Sequence, residues 1–467
     1  MEILPQSLSY SASKQALRFN RFQCRPAGTD TADPGSTVRI NLPSKSLVNL
    51  SSFNLCFNLT MSGMAVHDTN NFSNGKLPHG HKLFSAVRVM VGNQMVSGGL
   101  SNHYDVLYNA LVKASCGEDW VNSRLNEHTK ELIENGDDVN KFSQNVADAG
   151  GPGVGAIKKA RYVIGDFLGA FRGNGGKSII DTSLWGDIAI EFTFNSQACI
   201  SKRIGTGGPA NPPITYAVAD IEGYVECITQ TTPLYIKLIT MLLDDKQAQI
   251  RFPYQNFITG LTNTGKSARL QINSNCIDAM VLCPLGVNAN SLTLPVTSGD
   301  LSGPRYKYTA LNADGTAVLT INPANSSSTN TNIQIQIGSD TFPKVPITNA
   351  LDVSDITQNS LFSNSLYSQN LLFNGITQSA DAYDATTVST YSRQKFLSEN
   401  FVYVQSFADG EGWASKILTG IDSASQNLDV IVNFPISSTA GSSLFIGALV
   451  TSLLVFDCRT GQVSVIQ

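Results

Sequence analysis

Stretches in which apolar and polar residues alternate recur along most of the chain. Val38–Leu42 and Phe53–Leu59 alternate clearly, and Val87–Val91 and Gln94–Val96 flank Gly92-Asn93 as the strands of a hairpin do. A period of two places one face of a strand against a core and the other in solvent. We predict further strands in these segments: Arg161–Ile164, Ile188–Phe194, Ile214–Cys227, Ile250–Pro253, Arg269–Ile272, Ile277–Cys283, Val318–Ile321, Ile333–Ile337, Val402–Phe407, Leu428–Phe434, Leu444–Phe456 and Val463–Ile466.

Helical spacing is confined to short stretches. Asn102 is suited to cap a helix whose buried positions follow at i, i+3, i+4 and i+7, namely Tyr104, Leu107, Tyr108 and Leu111. Glu118–Glu134 and Leu234–Leu243 are further helix candidates. The pattern therefore predicts an all-β protein with short helical and loop insertions. The apolar run Leu444–Phe456 is shorter than the roughly 20 residues of a membrane-spanning helix, so we interpret it as consecutive buried strands.

Two segments of the first half are echoed in the second. Ile40–Pro43 is similar to Ile250–Pro253, and Asp187–Phe192 is similar to Asp429–Phe434. In each half the second segment is followed by a loop and a last apolar strand group, ending at Cys227 or Cys458, respectively. This pattern indicates one duplicated β-sandwich, with chance similarity between two generic β-domains as the alternative.

Length and composition narrow the class of protein. The chain has 467 residues, which is longer than a domain built around a single hydrophobic core usually is, so we expect two domains. Charged residues make up 15 %, below the about 25 % of an ordinary soluble domain. The net charge is -4, which gives no overall indication of a nucleic-acid partner.

Cysteine usage and the start of the chain bear on its location. The eight cysteines include no C-x-x-C pair, so we expect buried free thiols in a reducing compartment rather than a zinc or redox motif. The first residues lack the apolar core of a secretory signal peptide. The expectation is a protein made in the cell interior without a secretory signal.

One motif indicates nucleotide binding if only its residue types and spacing are considered. Gly260, Gly265, Lys266 and Ser267 fit the G-x-x-x-x-G-K-S pattern of a phosphate loop. Asp457 follows an apolar run, as does the carboxylate on the metal-binding side of such a nucleotide site. Such a loop binds phosphate only where a helix N-terminus follows it. Here residues 268–273 alternate as a strand does, so we interpret the match as accidental and expect no bound cofactor.

Other residue types that support chemistry are scattered. The pair His79 and His81 lies in turn-rich sequence without a convergent acid or cysteine, which favours a solvated loop over a metal site. Asp137-Asp138 and Asp244-Asp245 follow helix candidates, where solvated turn residues are common. No serine lies in a G-x-S-x-G elbow. We therefore predict no metal site, no catalytic set and no enzyme activity.

A weakly basic segment opens the chain. Lys14, Arg18, Arg21 and Arg25 stand against a single early acid, Glu2. We interpret residues 1–31 as an extended arm. Contact with packaged nucleic acid or anionic lipid and simple tethering of the domain remain alternatives for its role.

The order of elements resembles that of a known family. Val38–Leu59, Leu83–Gln94 and the tyrosine-bearing segment His103–Leu111 are similar to the first jelly roll of double jelly-roll major capsid proteins. That family is the adenovirus hexon-like lineage, including polinton-like, adintovirus and virophage-type viruses. Asn427–Ile466 is similar to the end of the second jelly roll, whereas Asn288–Thr390 has no recognisable counterpart.

This resemblance implies an architecture and a role. It implies two tandem eight-stranded antiparallel jelly rolls, with an inner arm at 1–31, a first roll at 32–232 and a second roll at 233–467. It also implies a viral major capsid protein that forms homotrimers, assembles as pseudo-hexameric capsomers and tiles an icosahedral shell. Expected partners are further copies, penton and minor capsid proteins, and an internal membrane or packaged DNA contacted by the arm. The expected outer tower loops are Asp68–Gly80, Gly136–Gly155 and Ser291–Ser339.

Two other classes of protein remain as alternatives. Jelly rolls also occur in lectins, so a glycan-binding or spike-like viral β-protein is the second reading. A P-loop nucleotide-binding protein is the third, and it depends on the Gly260–Ser267 match alone.

Overall fold

The structure is a computed structural model of the chain. It describes residues 17–66, 72–76, 78, 80–92, 94–98, 103–115, 156–171, 179–196, 199–204, 215–230, 237, 240–241, 243–244, 249–262, 267–285, 299–301, 333–347, 402–407, 420–424, 430–433 and 443–466.

In the described residues of the first part of the chain, strands dominate, with two helices and one 3-10 turn at Gly80–Leu83 between them. The helices are Tyr104–Ser115 (α1) and Thr182–Trp185 (α2). The strands are Leu17–Cys24 (β1), Thr37–Asn41 (β2), Leu47–Val66 (β3), Phe72–Lys76 (β4), Phe84–Val91 (β5), Gln94–Ser97 (β6), Ala156–Ile164 (β7), Ile179–Asp181 (β8), Ile188–Phe194 (β9), Ser201–Ile204 (β10) and Thr215–Gln230 (β11).

The second part is built from strands in the same manner. These strands are Gln249–Thr262 (β12), Ser267–Leu270 (β13), Ile277–Leu285 (β14), Gly299–Leu301 (β15), Ile333–Ile337 (β16), Asp340–Ile347 (β17), Tyr403–Ser406 (β18), Val430–Asn433 (β19), Ser443–Asp457 (β20) and Gln462–Ile466 (β21).

Strand pairing is repeated between the two parts. In the first part β1-β11-β3-β7 form one antiparallel sheet and β2-β9-β5-β6 form another. In the second part β12-β20-β14-β18 and β13-β19-β16-β17 pair in the same way. Corresponding strands also follow one another in the same order along the chain. Two facing four-stranded sheets with this order form a jelly roll, so the fold is the predicted double jelly roll.

We call β1 to β11 the first roll and β12 to β21 the second roll. Aromatic rings fill the space between the sheets of the first roll. Phe57 stacks on Tyr162 with ring centroids 5.2 Å apart and meets Phe84 and Phe194 edge-on at 6.2 and 5.7 Å. Such pairs stabilise a core beyond the area that they bury.

The predicted internal repeat is partly confirmed. Asp187–Phe192 and Asp429–Phe434 carry β9 and β19, which are counterparts in the two rolls. The predicted correspondence between Ile40–Pro43 and Ile250–Pro253 is wrong. Ile40–Pro43 begins on β2, whereas Ile250–Pro253 lies within β12, whose counterpart is β1. A short alternating run that ends in proline is too general a pattern to identify one strand position. Residues 17–24, which we placed in the arm, therefore occupy the first strand position of the first roll.

Most predicted elements agree with the structure. The strands at Ile188–Phe194 and Ile333–Ile337, the hairpin of β5 and β6, and the helix that begins at Tyr104 are confirmed. Within 237–244 the described residues are helical and exposed. The predicted helix at 118–134 and the predicted strand at 318–321 lie outside the described residues.

Two long strands differ from the prediction. The strand predicted at Phe53–Leu59 begins earlier, at Leu47, and contains a β-bulge where the register with β11 shifts between Asn49 and Asn54. Leu444–Phe456 lies on one continuous strand, β20, rather than on several. Among the residues that the structure describes, no helix has both the length and the apolar character needed to cross a bilayer.

Candidate functional site: the junction of the two rolls

One sheet of the second roll is buried on both faces. On β14, Met280 and Leu282 point into the second roll's own core, whereas Ala279, Val281 and Cys283 pack in the same cluster as the first roll's core residues. Side chains of a strand alternate between its two faces, so a strand that is apolar at nearly every position must be buried on both faces. The first roll supplies the second cover. This explains why β14 and β20 are almost uniformly apolar in sequence.

Aromatic contacts join the first roll to this sheet. Tyr104 and His103, at the start of α1, lie against Phe257 and Phe445, with ring centroids 5.8 and 6.3 Å apart. At another point Trp185 of α2 meets Phe456 at 5.8 Å, nearly edge-on. The two rolls therefore share one continuous hydrophobic cluster.

Two hydrogen bonds cross the junction between buried groups. The Tyr254 hydroxyl donates to the Val96 carbonyl at 2.6 Å, and the Gly98 amide donates to Asn256 Oδ1 at 3.3 Å. Burial raises the pKa of Tyr254, so its hydroxyl stays protonated and remains a donor. Buried polar pairs of this kind fix one relative position, because a displaced donor or acceptor would lose its partner.

The first roll holds α1 in place by a polar network. Asn195, at the end of β9, donates from Nδ2 to the Lys82 carbonyl at 3.1 Å and to Asp105 Oδ2 at 2.8 Å. The Tyr216 hydroxyl of β11 donates to the Asn195 carbonyl. Asn195 thus links β9, β11, the 3-10 turn and the first turn of α1. Sequence reasoning missed this residue, because its partners are distant along the chain.

The histidine prediction needs a correction. His79 lies outside the described residues, but His81 is 1 % exposed rather than solvated, and it stacks on Tyr108 with centroids 3.6 Å apart. His81 Nδ1 also lies 3.2 Å from the Tyr104 hydroxyl. The pairing with a helix could not be read from the local turn-rich sequence. No group of three or more His, Cys, Asp and Glu side chains that could hold a metal ion occurs within the described ranges.

The phosphate-loop motif lies between two strands. Gly260 belongs to β12 and Ser267 begins β13, while Gly265 and Lys266 fall outside the described residues. The predicted strand after the motif is confirmed by β13, so no helix N-terminus begins at that point. At the other proposed position, Asp457 Oδ1 accepts a hydrogen bond from the Arg459 amide in a turn. That the match is accidental stays a prediction, because Gly265 and Lys266 lie outside the described residues.

The described cysteines are buried or half-buried, and the one described member of the paired acids is exposed. Six cysteines are buried free thiols, as predicted, and Cys458 is half-buried. Asp244 is exposed, and Asp137, Asp138 and Asp245 lie outside the described residues.

The basic residues of the predicted arm are split by the fold. Arg18 and Arg21 lie on β1, where Arg21 stands opposite Glu226 of β11, and Arg25 follows the strand. Lys14 lies outside the described residues.

Two of the expected tower segments meet in one small sheet. Asp68–Gly80 contributes β4 and Ser291–Ser339 contributes β15, and both strands pair with β10. Because β15 belongs to the second roll, this pairing joins segments of both rolls. Gly136–Gly155 lies outside the described residues.

Comparison with solved structures finds the same fold in viral capsids. VP54 of PBCV-1, from the crystal structure fitted into a reconstruction of the virophage Sputnik, aligns with a TM-score of 0.52 and 12 % identity over 97 % of this chain and 97 % of that chain. A quasi-atomic model of the PBCV-1 virus capsid aligns with a TM-score of 0.52 and 12 % identity over 96 % and 97 % of the two chains. The Faustovirus major capsid protein aligns with a TM-score of 0.50 and 9 % identity over 94 % and 90 %.

The sequence itself has no comparable match. No family model matches it, and no curated protein matches it. At identities this low the likeness shows the double jelly-roll fold and transfers no residue role.

Proposed function

We propose that this chain is a viral major capsid protein, three copies of which form a capsomer with a pseudo-hexagonal outline that tiles an icosahedral shell. The observation that carries the proposal is the repetition of one eight-strand order in two rolls that share a buried junction. Three such blocks supply six similar rolls, and a head-to-tail contact that closes on itself makes a ring.

The junction suits a building block of a shell. Because its apolar side chains and buried hydrogen bonds fix the two rolls against each other, a capsomer would bear load without internal movement. Many weak contacts between such blocks add up to a stable shell, and none requires a catalytic group. The fold shared with proteins described as a virus capsid and a major capsid protein supports the same role.

The proposal extends to the ends of the molecule. We place the first roll from Leu17, the second roll from Gln249, and the inner arm in the residues before β1. Lys14, Arg18, Arg21 and Arg25 are proposed inner-face contacts to packaged DNA or an internal membrane. The small sheet of β4, β10 and β15 is proposed to face outward as part of a tower. Neighbouring capsomers, penton proteins and minor capsid proteins complete the proposed partners.

Light scattering of the purified protein, followed by negative-stain imaging, tests the proposal. We expect a stable particle of three times 50.1 kDa with a hexagonal outline. A chain that stays monomeric at all concentrations would contradict the capsid role. In that case binding to a glycan array would favour the glycan-binding protein, and ATP binding would favour the nucleotide-binding protein.

A further inference from the structure

His81 is a titratable side chain buried among aromatic rings inside the first roll. It lies on the 3-10 turn Gly80–Leu83 and is 1 % exposed. Its ring stacks on Tyr108 with centroids 3.6 Å apart and meets Phe167 edge-on at 5.2 Å. A charge brought into such an apolar setting loses its hydration, so these surroundings favour the uncharged imidazole.

A hydrogen bond to Tyr104 defines where His81 carries its proton. His81 Nδ1 lies 3.2 Å from the Tyr104 hydroxyl, which accepts a hydrogen bond from the Leu168 amide at 3.3 Å. Because the oxygen already serves as an acceptor, the hydroxyl donates its own proton to Nδ1, and the ring proton is on Nε2. A doubly protonated ring would direct Nδ1–H at the same hydroxyl, which would then have to turn its proton away.

Tyr104 connects His81 to the second roll. Its ring lies 5.8 Å from Phe257 of β12, and the ring of its neighbour His103 lies 6.3 Å from Phe445 of β20. Further along α1, Leu107 packs on Gly447 of β20. A change at His81 therefore acts, through one tyrosine, on the helix that covers the second-roll sheet.

The surroundings of His81 contain few other groups that can carry charge. α1, β5 and β7 pack against its turn, and the segment after β7 supplies Phe167. On these elements and the turn, the buried titratable side chains are Tyr104, Asp105, Tyr108 and Tyr162, and the half-buried charged ones are Lys82, Arg88, Arg161 and Asp166. Tyrosines stay uncharged well above pH 7, so Asp105 is the buried group that can respond to a charge on His81.

Asp105 is already part of the network that holds α1. Its Oδ2 accepts from Asn195 Nδ2 at 2.8 Å, and the same amide group donates to the carbonyl of Lys82, next to His81. An imidazolium at position 81 would either remain without a close counter-charge or attract Asp105 away from Asn195. Either change weakens the attachment of α1 to the first roll.

We infer that His81 makes the junction of the two rolls sensitive to pH: uncharged, it holds Tyr104 and α1 against the second roll, and its protonation loosens that contact. An exposed histidine binds a proton below about pH 6.5. If the loosened form takes up this proton and the closed form does not, the closed junction loses stability as the pH falls through that range. This device belongs to the single chain and does not depend on the proposed capsid role.

Hydrogen exchange at the junction tests the inference. The Gly98 amide donates to Asn256 Oδ1 across the junction, so its protection from exchange reports whether the two rolls are in contact. After correction for the intrinsic exchange rate, we expect the wild-type Gly98 amide to exchange roughly tenfold faster or more at pH 5 than at pH 7.5.

Variants of two histidines assign the effect. His81→Phe keeps a ring on Tyr108 but binds no proton, so its Gly98 amide should exchange at the same corrected rate at both pH values. His81→Gln keeps an acceptor for Tyr104 and gives the same comparison if the apolar ring destabilises the fold. His103→Gln is the matched control, because His103 is a half-buried histidine at the same junction, and this variant should retain the wild-type pH dependence.

The comparison of variants at one pH cancels titration elsewhere in the chain. Equal corrected exchange of the wild-type Gly98 amide at both pH values would overturn the inference. A pH dependence that survives in both His81 variants, or one that is lost in His103→Gln alone, would overturn it as well.

Discussion

Asp278 carries a half-buried carboxyl group that accepts hydrogen bonds from two donors. It lies at the bulge that begins β14, where Thr451 Oγ1 donates to Oδ2 at 2.7 Å and the Cys276 thiol donates to Oδ1 at 3.3 Å. Burial raises the pKa of this carboxyl to about 6, although both hydrogen bonds act in the opposite direction. Burial also raises the pKa of the Cys276 thiol, so it stays protonated and remains a donor.

Asp278 should make the protein less stable as the pH rises. Its folded pKa exceeds the ordinary 3.8, so its contribution is fully present below about pH 4 and is lost as the pH rises through about 6. The loss amounts to at most about 3 kcal/mol, at 1.36 kcal/mol for each unit of pKa shift. Asp278→Asn should remove this part of the pH dependence in urea unfolding at pH 4.5, 6 and 7.5. Asp340→Asn, at the exposed first residue of β17, is the control, and an unchanged slope in Asp278→Asn would contradict the assignment.

Gly169 allows a close approach near the junction. Its φ is +90°, and a Cβ there would lie 2.0 Å from Ser97 Oγ and 3.4 Å from the Phe257 ring. Gly169→Ala should therefore lower the free energy of unfolding by about 2 to 4 kcal/mol, from backbone strain and overpacking together. Gly461 has φ +67° and open space around it, so Gly461→Ala measures the backbone cost alone, about 1 kcal/mol. Equal melting temperatures for the two variants would exclude the steric contact.

At the scale of elements, local patterns predicted strands well and their surroundings poorly. The alternation after Ser267 identified β13 correctly, because a single strand with one solvated face carries its own signal. β20 carries no such signal, since both of its faces are buried. β1 was interpreted as part of an arm because of its basic residues. Its residues 19–23 are all exposed, and only pairing with β11 defines it as a strand.

The link between β12 and β13 offers a test of the phosphate-loop match. Lys266→Ala should leave the melting temperature and the oligomeric state unchanged, because a strand follows the motif instead of the helix that would bind phosphate. Calorimetric titration with Mg-ATP should give no heat of binding for either protein. Measurable ATP binding that is lost in Lys266→Ala would contradict this expectation.

At the scale of the whole molecule, the sequence indicated two sandwiches but not how they are joined. Of the repeated strand order, only the similarity of β9 and β19 is visible in the sequence. The junction is formed by α1, Trp185 and β14, and nothing local indicates that Leu107 meets Gly447, where an added Cβ would lie 2.7 Å from Leu107 Cδ1. Contacts between residues so distant in sequence are determined by the whole fold, so no single segment of the sequence predicts them.

The shared junction should make the two rolls one cooperative unit. Ala279, Val281, Phe445 and Leu449 are at most 2 % exposed only because the first roll covers them. Separate expression of 233–467 would expose this apolar face, so we expect it to aggregate, while co-expression with 1–232 restores a soluble complex. The intact chain should unfold in one calorimetric transition whose van't Hoff and calorimetric enthalpies agree. A soluble second half with its own melting transition would mean that the junction is a contact between independent domains. The rigidity of the proposed capsomer would then have to arise from trimer formation.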